Sequence, residues 1–270
     1  MKVDLHVHTT ASDGLLSPTE IINKAKESNL DTIAIADHDT IDGITEGMEA
    51  AENHGIRLIP ALEISARHEK QIHMLGYFVD YKDLKFQTFV NKLKNSREER
   101  NQKMLRKLDN LGFHITMEEL KANAEGNIGR PHIADLMVKK GYVSTFAEAF
   151  EKYIGNGKHC YVPKERPDIR KSIEIIRKYK GIPVLAHPKY TFLEDEELEN
   201  FISWLSDLGL GGLEVFYSKH SKEEETKYLK LAEKYSLIPT AGSDYHRNGD
   251  AFGMELKKEY LDILLSSETI

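Results

Sequence analysis

Short apolar runs separated by helix-length amphipathic segments leave this chain few folds to choose from. Thr32–Ala36, Arg57–Leu62 leading into Glu63-Ile64-Ser65, Gln71–Val79, Pro183–Ala186, Gly212–Phe216 and Ile238–Ala241 read as buried strands. Segments of helical period lie between most of them. Ser17-Pro18-Thr19-Glu20 is a helix start, with Ser17 as N-cap, Pro18 in the first turn and Glu20 reaching back. That helix runs to about Asn29 and a second ends near His54. Later helices span Asp168–Lys180, Glu194–Leu208 and Ser221–Tyr235. Strand-helix alternation of this kind predicts an α/β chain with a parallel sheet or barrel.

The rhythm breaks once. From Leu84 to Tyr153 there is almost no strand signal. Leu84–Leu111 reads as one long polar helix stopped at Gly112, and Met117–Ala122, Pro131–Lys140 and Thr145–Tyr153 as shorter helices. The predicted organisation is a barrel domain over 1–82 and 165–270, with an all-helical subdomain, 83–164, inserted as a lid.

Charge divides along the same line. The chain carries a formal net charge of −7, which argues against wholesale nucleic-acid binding. Leu84–Lys164 nevertheless carries +6 and the remainder −13. A basic insert on an acidic body suits an anionic substrate. At 40% hydrophobic and 30% charged residues, the 270-residue chain is expected to be globular. No apolar run is long enough to span a bilayer. The single cysteine, Cys160, permits no internal disulfide and is read as a small buried residue. A strand beginning at Val3 leaves no room for a leader, so a cytoplasmic location is expected, with no membrane contact and no obligate protein partner.

Residues with metal-ligand chemistry recur at one kind of place. His6 and His8 lie two apart in a strand pattern and so share a face, with Asp4 behind them and Asp13 just beyond. His38, Glu63, His187, Asp244 and His246 each sit at or just past the end of an apolar strand, and His73 lies in a strand expected beside Glu63. In a barrel these ends converge on one rim. A lone histidine of this sort is usually a hydrogen-bonded core residue; six of them with three carboxylates in equivalent positions point to a shared metal site. His54, His68, His114 and His159 lack this placement and read as surface or capping residues.

These residues carry a family resemblance. His6-x-His8, Ala36-Asp37-His38-Asp39, Ala61-Leu62-Glu63-Ile64-Ser65, His73, Ala186-His187-Pro188 and Gly242-Ser243-Asp244-x-His246 resemble the PHP (polymerase and histidinol phosphatase) superfamily. Thr10-x-Ser12-Asp13-Gly14 and Gly129-Arg130-Pro131-His132-Ile133-Ala134 resemble its branch encoded near tryptophan operons, whose members act as nucleotide or oligonucleotide phosphoesterases. The resemblance implies a distorted (β/α)7 barrel with an inserted helical subdomain and two to three divalent ions, Mn, Fe or Zn, at the rim. By position, His6, His8, Glu63 and Asp244 would hold the first ion. Glu63 would bridge to a second held also by His73 and His187, and Asp13, His38 and His246 would hold the third. Some branches have histidine where this chain has Asp13, and the hard oxygen ligand tilts that site toward manganese or iron. Asp37 or Asp39 would orient a ligand histidine from behind, or simply be a turn acid.

Such a site hydrolyses a phosphate ester with metal-activated water, so no Ser or Cys nucleophile is required. Arg130 and His132, at the start of an insert helix, are candidate substrate contacts, as are Lys164 where insert and barrel rejoin and His220 after a strand end. Tyr217 is a candidate stacking partner for a base. The expected substrate is a nucleoside monophosphate, a 3′,5′-bisphosphate or the 5′ end of a short oligonucleotide. The competing enzyme reading is histidinol-phosphate phosphatase. From other classes come a nucleic-acid-binding accessory module with a non-catalytic metal site and a purely structural or metal-buffering domain. The completeness of the ligand set argues against the accessory module, and an open rim argues against a structural site.

Overall fold

The computed structural model describes residues 1–68, 72–123, 128–163 and 165–269. Its strands run β1 (Lys2–Val7), β2 (Thr32–Ile35), β3 (Arg57–Ala66), β4 (Ile72–Tyr77), β5 (Ile182–Leu185), β6 (Gly212–Tyr217), β7 (Ile238–Gly242) and the two-residue β8 (Met254–Glu255). They form one sheet in the order β7-β6-β5-β4-β3-β2-β1-β8. At the end of β1 and just past β7 the two strands meet: the His8 amide donates to the Tyr245 carbonyl at 2.9 Å and the Asp244 amide to the His6 carbonyl at 2.8 Å. The sheet thereby curls into a nearly closed barrel, the distorted α/β barrel expected.

The distortion lies at β4, which runs antiparallel to both β3 and β5, whereas β1–β2–β3 and β5–β6–β7 are parallel. Only five residues separate Ala66 from Ile72, too few for a parallel crossover and enough for a hairpin. Reversal puts the start of β4, with His73, at the rim where the parallel strands end.

Strand faces separate cleanly. Val3, Leu5, Ala34, Ile59, Ala61, Leu75, Tyr77, Val184 and Ala241 share the barrel interior with Leu261 and Leu264 of α10 (Lys258–Ser266). Ile33, Ile35 and Leu58 turn outward onto α1 (Pro18–Glu27) and α2 (Ile44–His54). The capping box at Ser17 and Glu20 forms as expected. Outside the other half lie α7 (Ile169–Lys178), α8 (Asp195–Asp207) and α9 (Lys222–Lys234).

Between β4 and α7 the described residues contain only helices: α3 (Leu84–Asp109), α4 (Met117–Ala122), α5 (Arg130–Lys139) and α6 (Phe146–Ala149), the last running into a π turn at Phe150–Ile154. Met104, Leu108, Leu120, Ile133, Met137 and Ile154 bury against one another in an apolar cluster of their own, which includes Cys160. The first half of α3 instead packs Phe86, Val90 and Leu93 on the barrel's outer core. Among the described residues no helix is long and apolar enough to cross a membrane.

Candidate metal centre

The barrel mouth is built by small departures from regular strand geometry. In β1 the register with β2 shifts between Asp4 and Val7. Val3 and Leu5 face the interior, yet Val7 packs outward against α1. This irregularity re-aims the strand end so that His6 and His8 both enter the mouth. In β6, Leu213 and Val215 pack outward, so Glu214 between them faces inward, and a second shift follows it before Phe216. β3 overshoots β2, so Glu63 lies inside its strand rather than at the end, level with His38 through an isolated bridge. His187 (φ +27°) and Asp244 (φ +58°) adopt backbone conformations that non-glycine residues seldom take, a strain that the surrounding packing must hold in place.

Three groups of donor atoms converge there: His6, His8, Glu63 and Asp244; His38, Glu63 and His73; and His8, Asp13, His38 and His246. Glu63 is central. Its Oε2 lies 3.4 Å from His6 Nε2, 3.3 Å from His8 Nε2 and 2.7 Å from His38 Nδ1. Its Oε1 lies 2.7 Å from His73 Nδ1 and 3.1 Å from His187 Nε2. Asp244 Oδ1 stands 3.2 Å from His8 Nε2 and 3.6 Å from His6 Nε2. All nine rim residues expected from the sequence are thus brought together; His187 falls outside the three groups but lies 3.1 Å from Glu63, and His8, His38 and Glu63 are each shared between two of them.

The donor chemistry fits divalent cations. His6 and His8 point their Nε2 atoms at each other across 3.2 Å, and three carboxylates crowd six imidazoles in a buried mouth. Asp13 Oδ1 is buried and accepts no hydrogen bond among the described residues, His246 Nε2 being 3.4 Å away. Burial by itself raises a carboxyl pKa, but the imidazoles around Asp13 and Glu63 overcome it and hold both well below the usual range. Burial pushes His73 down to about 4, keeping it neutral and able to donate a lone pair.

A ring of acids behind the donors fixes their aim. Glu214 is the main residue that the sequence reading missed. Its Oε1 accepts His6 Nδ1–H at 3.0 Å and its Oε2 the His187 amide at 2.6 Å. With its Nδ1 engaged by Glu214, His6 turns its Nε2 to the mouth as the atom that would ligate a metal. Asp4 accepts the Ser243 amide at 2.9 Å and hydroxyl at 2.6 Å, anchoring the turn that carries Asp244. Asp37 binds the Thr9 amide at 2.7 Å and the Thr9 and Ser12 hydroxyls, bracing the loop that carries Asp13. Asp39 receives the Ser65 amide at 3.0 Å and the guanidinium of Arg97. Tyr217 is buried and donates its hydroxyl to Asp244 Oδ2 at 3.0 Å.

Two clefts open on this mouth. One, of about 550 Å³, touches Asp13, His38 and His73 and is walled by Arg67, Arg97, Arg100, Arg130 and Arg166, with Asn156 and Tyr161. Arg97 and Arg100 are nearly buried. Burial and the neighbouring guanidiniums push Arg100 well below its usual pKa, and its Nε has no hydrogen-bond partner among the described residues. Burial lowers Arg130 to about 10; its guanidinium bonds Asn156 Oδ1 at 3.1 Å and lies over Tyr161. The other cleft touches Asp13 and His246 on the opposite side.

The remaining candidates fall variously. Arg130 lines the arginine cleft, whereas His132, two residues on, lines the second and accepts the Gly129 amide at 2.9 Å. His220 lines neither: its Nδ1 donates to the Val215 carbonyl at 2.9 Å and its ring packs between Tyr217 and Tyr228, so the strand-end histidine turns back toward β6 and α9. Lys164 lies outside the described residues. His68, set aside as a surface residue, lines the arginine cleft.

A barrel with carboxylate-braced imidazoles gathered at its mouth is the architecture of a metal-dependent α/β protein. The chain belongs to the PHP domain family, which matches residues 4–181. It is 35% identical to a 5′-3′ exoribonuclease of Haemophilus influenzae over 246 residues, 91% of this chain and 90% of that one. It is 28% identical to a 3′,5′-nucleoside bisphosphate phosphatase of Chromobacterium violaceum, over 92% of this chain and 88% of that one. A crystal structure from Bifidobacterium adolescentis, described by inference as a metal-dependent phosphoesterase, superimposes with a TM-score of 0.87 at 30% identity, covering 98% of this chain and 96% of that one.

Proposed function

We propose that this chain is a metal-dependent phosphoesterase acting on nucleotides that carry more than one phosphate, such as nucleoside 3′,5′-bisphosphates or 5′-phosphorylated short RNA. The observation that carries this reading is the arginine cleft: five guanidiniums crowd one wall beside the donor cluster, and Arg97 is bound to Asp39. That wall has positive charge to spare, which one or more phosphates would meet through the planar donor forks of Arg100 and Arg130. The two relatives cited act, by name, on RNA and on nucleoside bisphosphates.

In this reading the nine rim residues hold two to three divalent ions of the Mn, Fe or Zn kind, and residues 83–164 are a lid whose α3 and α5 supply Arg97, Arg100 and Arg130. Such ions, when bound, neutralise phosphate charge and lower the pKa of water toward neutrality. The chain's own residues do the rest. Glu214 sets the His6 tautomer, Tyr217 orients Asp244, and Asp4 and Asp37 pin the two loops that carry carboxylate donors. The arginines place a phosphate so that the ester beyond it reaches the mouth.

The test is a substrate panel on manganese-loaded enzyme. Bisphosphates and 5′-phosphorylated RNA should exceed histidinol phosphate in kcat/KM by about 100-fold or more, because a site built to bond a second phosphate discriminates against a substrate lacking it. Preference for histidinol phosphate would refute the assignment.

A further inference from the structure

The arginine cleft accounts for one side of the barrel mouth and leaves the other side unexplained. There the second cleft, about 1120 Å³, runs between the β1–α1 loop and helices α4–α6. It exceeds the roughly 300–1,000 Å³ usual for small-ligand sites. The two clefts meet at Asp13, which lines both. The first turn of α5 stands between them, sending Arg130 into one and His132 into the other. A phosphomonoester needs only one approach, because its phosphate ends at the mouth. A phosphodiester has a second substituent on the same phosphorus, and that substituent needs room on the far side.

We infer that the second cleft receives the nucleotide joined to the far side of the scissile phosphate, so that a single nucleic-acid strand passes across the mouth from one cleft to the other. This rests on the phosphoesterase reading above. In the reaction water adds its oxygen to phosphorus, one P–O ester bond breaks, and the departing sugar oxygen takes a proton. The strand stays seated on both sides until that bond is cut.

The lining suits such an occupant. Arg247 is exposed, makes no ion pair among the described residues, and places its guanidinium 5.2 Å from the centroid of the Phe146 ring. Cation and aromatic face together match a backbone phosphate and a base, without regard to sequence. Leu15 is 57% exposed at the same cleft, one of few large apolar side chains left open to water. Its amide donates to the His246 carbonyl at 2.7 Å, tying the cleft to the loop that carries a rim histidine. Lys139 adds a second cation on the α5 side, its ammonium donating to Asn123 Oδ1 at 3.0 Å, while Glu20 and Asp135 add carboxylates to the lining.

The experiment compares a nucleoside 3′,5′-bisphosphate with a 5′-phosphorylated tetranucleotide RNA, using the full chain loaded with manganese. Arg247→Glu and Leu15→Glu change exposed positions, so both variants should keep the wild-type melting temperature. The expected result is a fall of about tenfold in the tetranucleotide-to-bisphosphate ratio of kcat/KM, the scale of one lost stacking or phosphate contact. Arg247→Ala should also lower the slope of log affinity for the RNA against log salt by about 0.7. An unchanged ratio and slope, with both substrates still hydrolysed, would overturn the second cleft's role while leaving the phosphoesterase reading intact. Wild-type enzyme inert toward both substrates would remove that reading and this inference with it.

Discussion

Glu214→Gln isolates the part played by the acids behind the donor cluster. The carboxylate is wholly buried and accepts two hydrogen bonds, from His6 Nδ1 at 3.0 Å and from the His187 amide at 2.6 Å. A glutamine fills the same space. The backbone amide of His187 can only donate, so the new amide oxygen must serve it and the new NH2 group must face His6. His6 then has to accept at Nδ1 and carry its proton on Nε2. That proton projects into the gap between His8 Nε2, 3.2 Å away, and Glu63 Oε2, 3.4 Å away, where a cation would otherwise sit. One of four donors in that group is lost with little change in packing. Loss of a supporting partner of this kind costs about 10–100-fold in metal affinity, which is about 1.4–2.8 kcal/mol. Competition titration against a chromophoric chelator measures the affinity directly. Turnover assayed over a range of manganese should show activity recovering at higher metal. Wild-type affinity and turnover in the variant would refute the tautomer argument.

Four further outcomes follow from the same geometry. Asp13→Ala and His246→Ala should each lower turnover by about 100-fold or more with the cooperative melt retained, because they remove donors from the mouth rather than packing from the core; near-normal activity would remove them from the centre. Arg97→Ala should destabilise the chain by about 3–5 kcal/mol in denaturant titration, because it breaks a buried ion pair; the side chains of Arg97 and Asp39 are only 6% and 2% exposed. Adding Asp39→Asn to that variant should restore part of the loss. In Gly242→Ala the new Cβ would lie 2.3 Å from His6 Cβ and 2.5 Å from Glu214 Oε1, so stability should fall by about 1–3 kcal/mol with weaker manganese binding alongside.

The rim residues were legible because strands and rim placement are periodic features, and matching side chains recur wherever an apolar run stops. Strand direction was not written in any single run. The five residues between Ala66 and Ile72 were the available signal for the reversed β4, since no parallel crossover fits in them. Glu214 was hidden for a different reason. It stands as the lone charge in Leu213-Glu214-Val215-Phe216, and in a single sequence an isolated acid in a strand looks like a solvent-facing position. In the barrel its neighbours Leu213 and Val215 take the helix-covered outer face, and alternation alone then turns Glu214 inward.

Arg97 and Arg100 were masked by their helix. The buried stripe of α3 runs Phe86, Val90, Leu93, Arg97, Arg100, Asn101, Met104, Leu105, Leu108. Polar residues interrupt an otherwise apolar face at helical spacing, and that interruption marks where the helix leaves the barrel core and crosses the cleft. Read as composition alone, the segment was simply polar. His220 failed the other way, because placement after a strand does not fix the direction of a side chain.

If the gathered imidazoles and carboxylates hold metal ions on which phosphate-ester hydrolysis depends, turnover must follow bound metal. The most direct measurement strips the protein with a chelator, adds back manganese stepwise, and follows bound metal and hydrolysis of a nucleoside 3′,5′-bisphosphate in the same samples. Turnover in the stripped protein should be negligible, with activity rising as two to three ions bind per chain and with no such recovery in Asp13→Ala. Full turnover by metal-free protein, or saturable manganese binding that leaves turnover unchanged, would contradict that dependence.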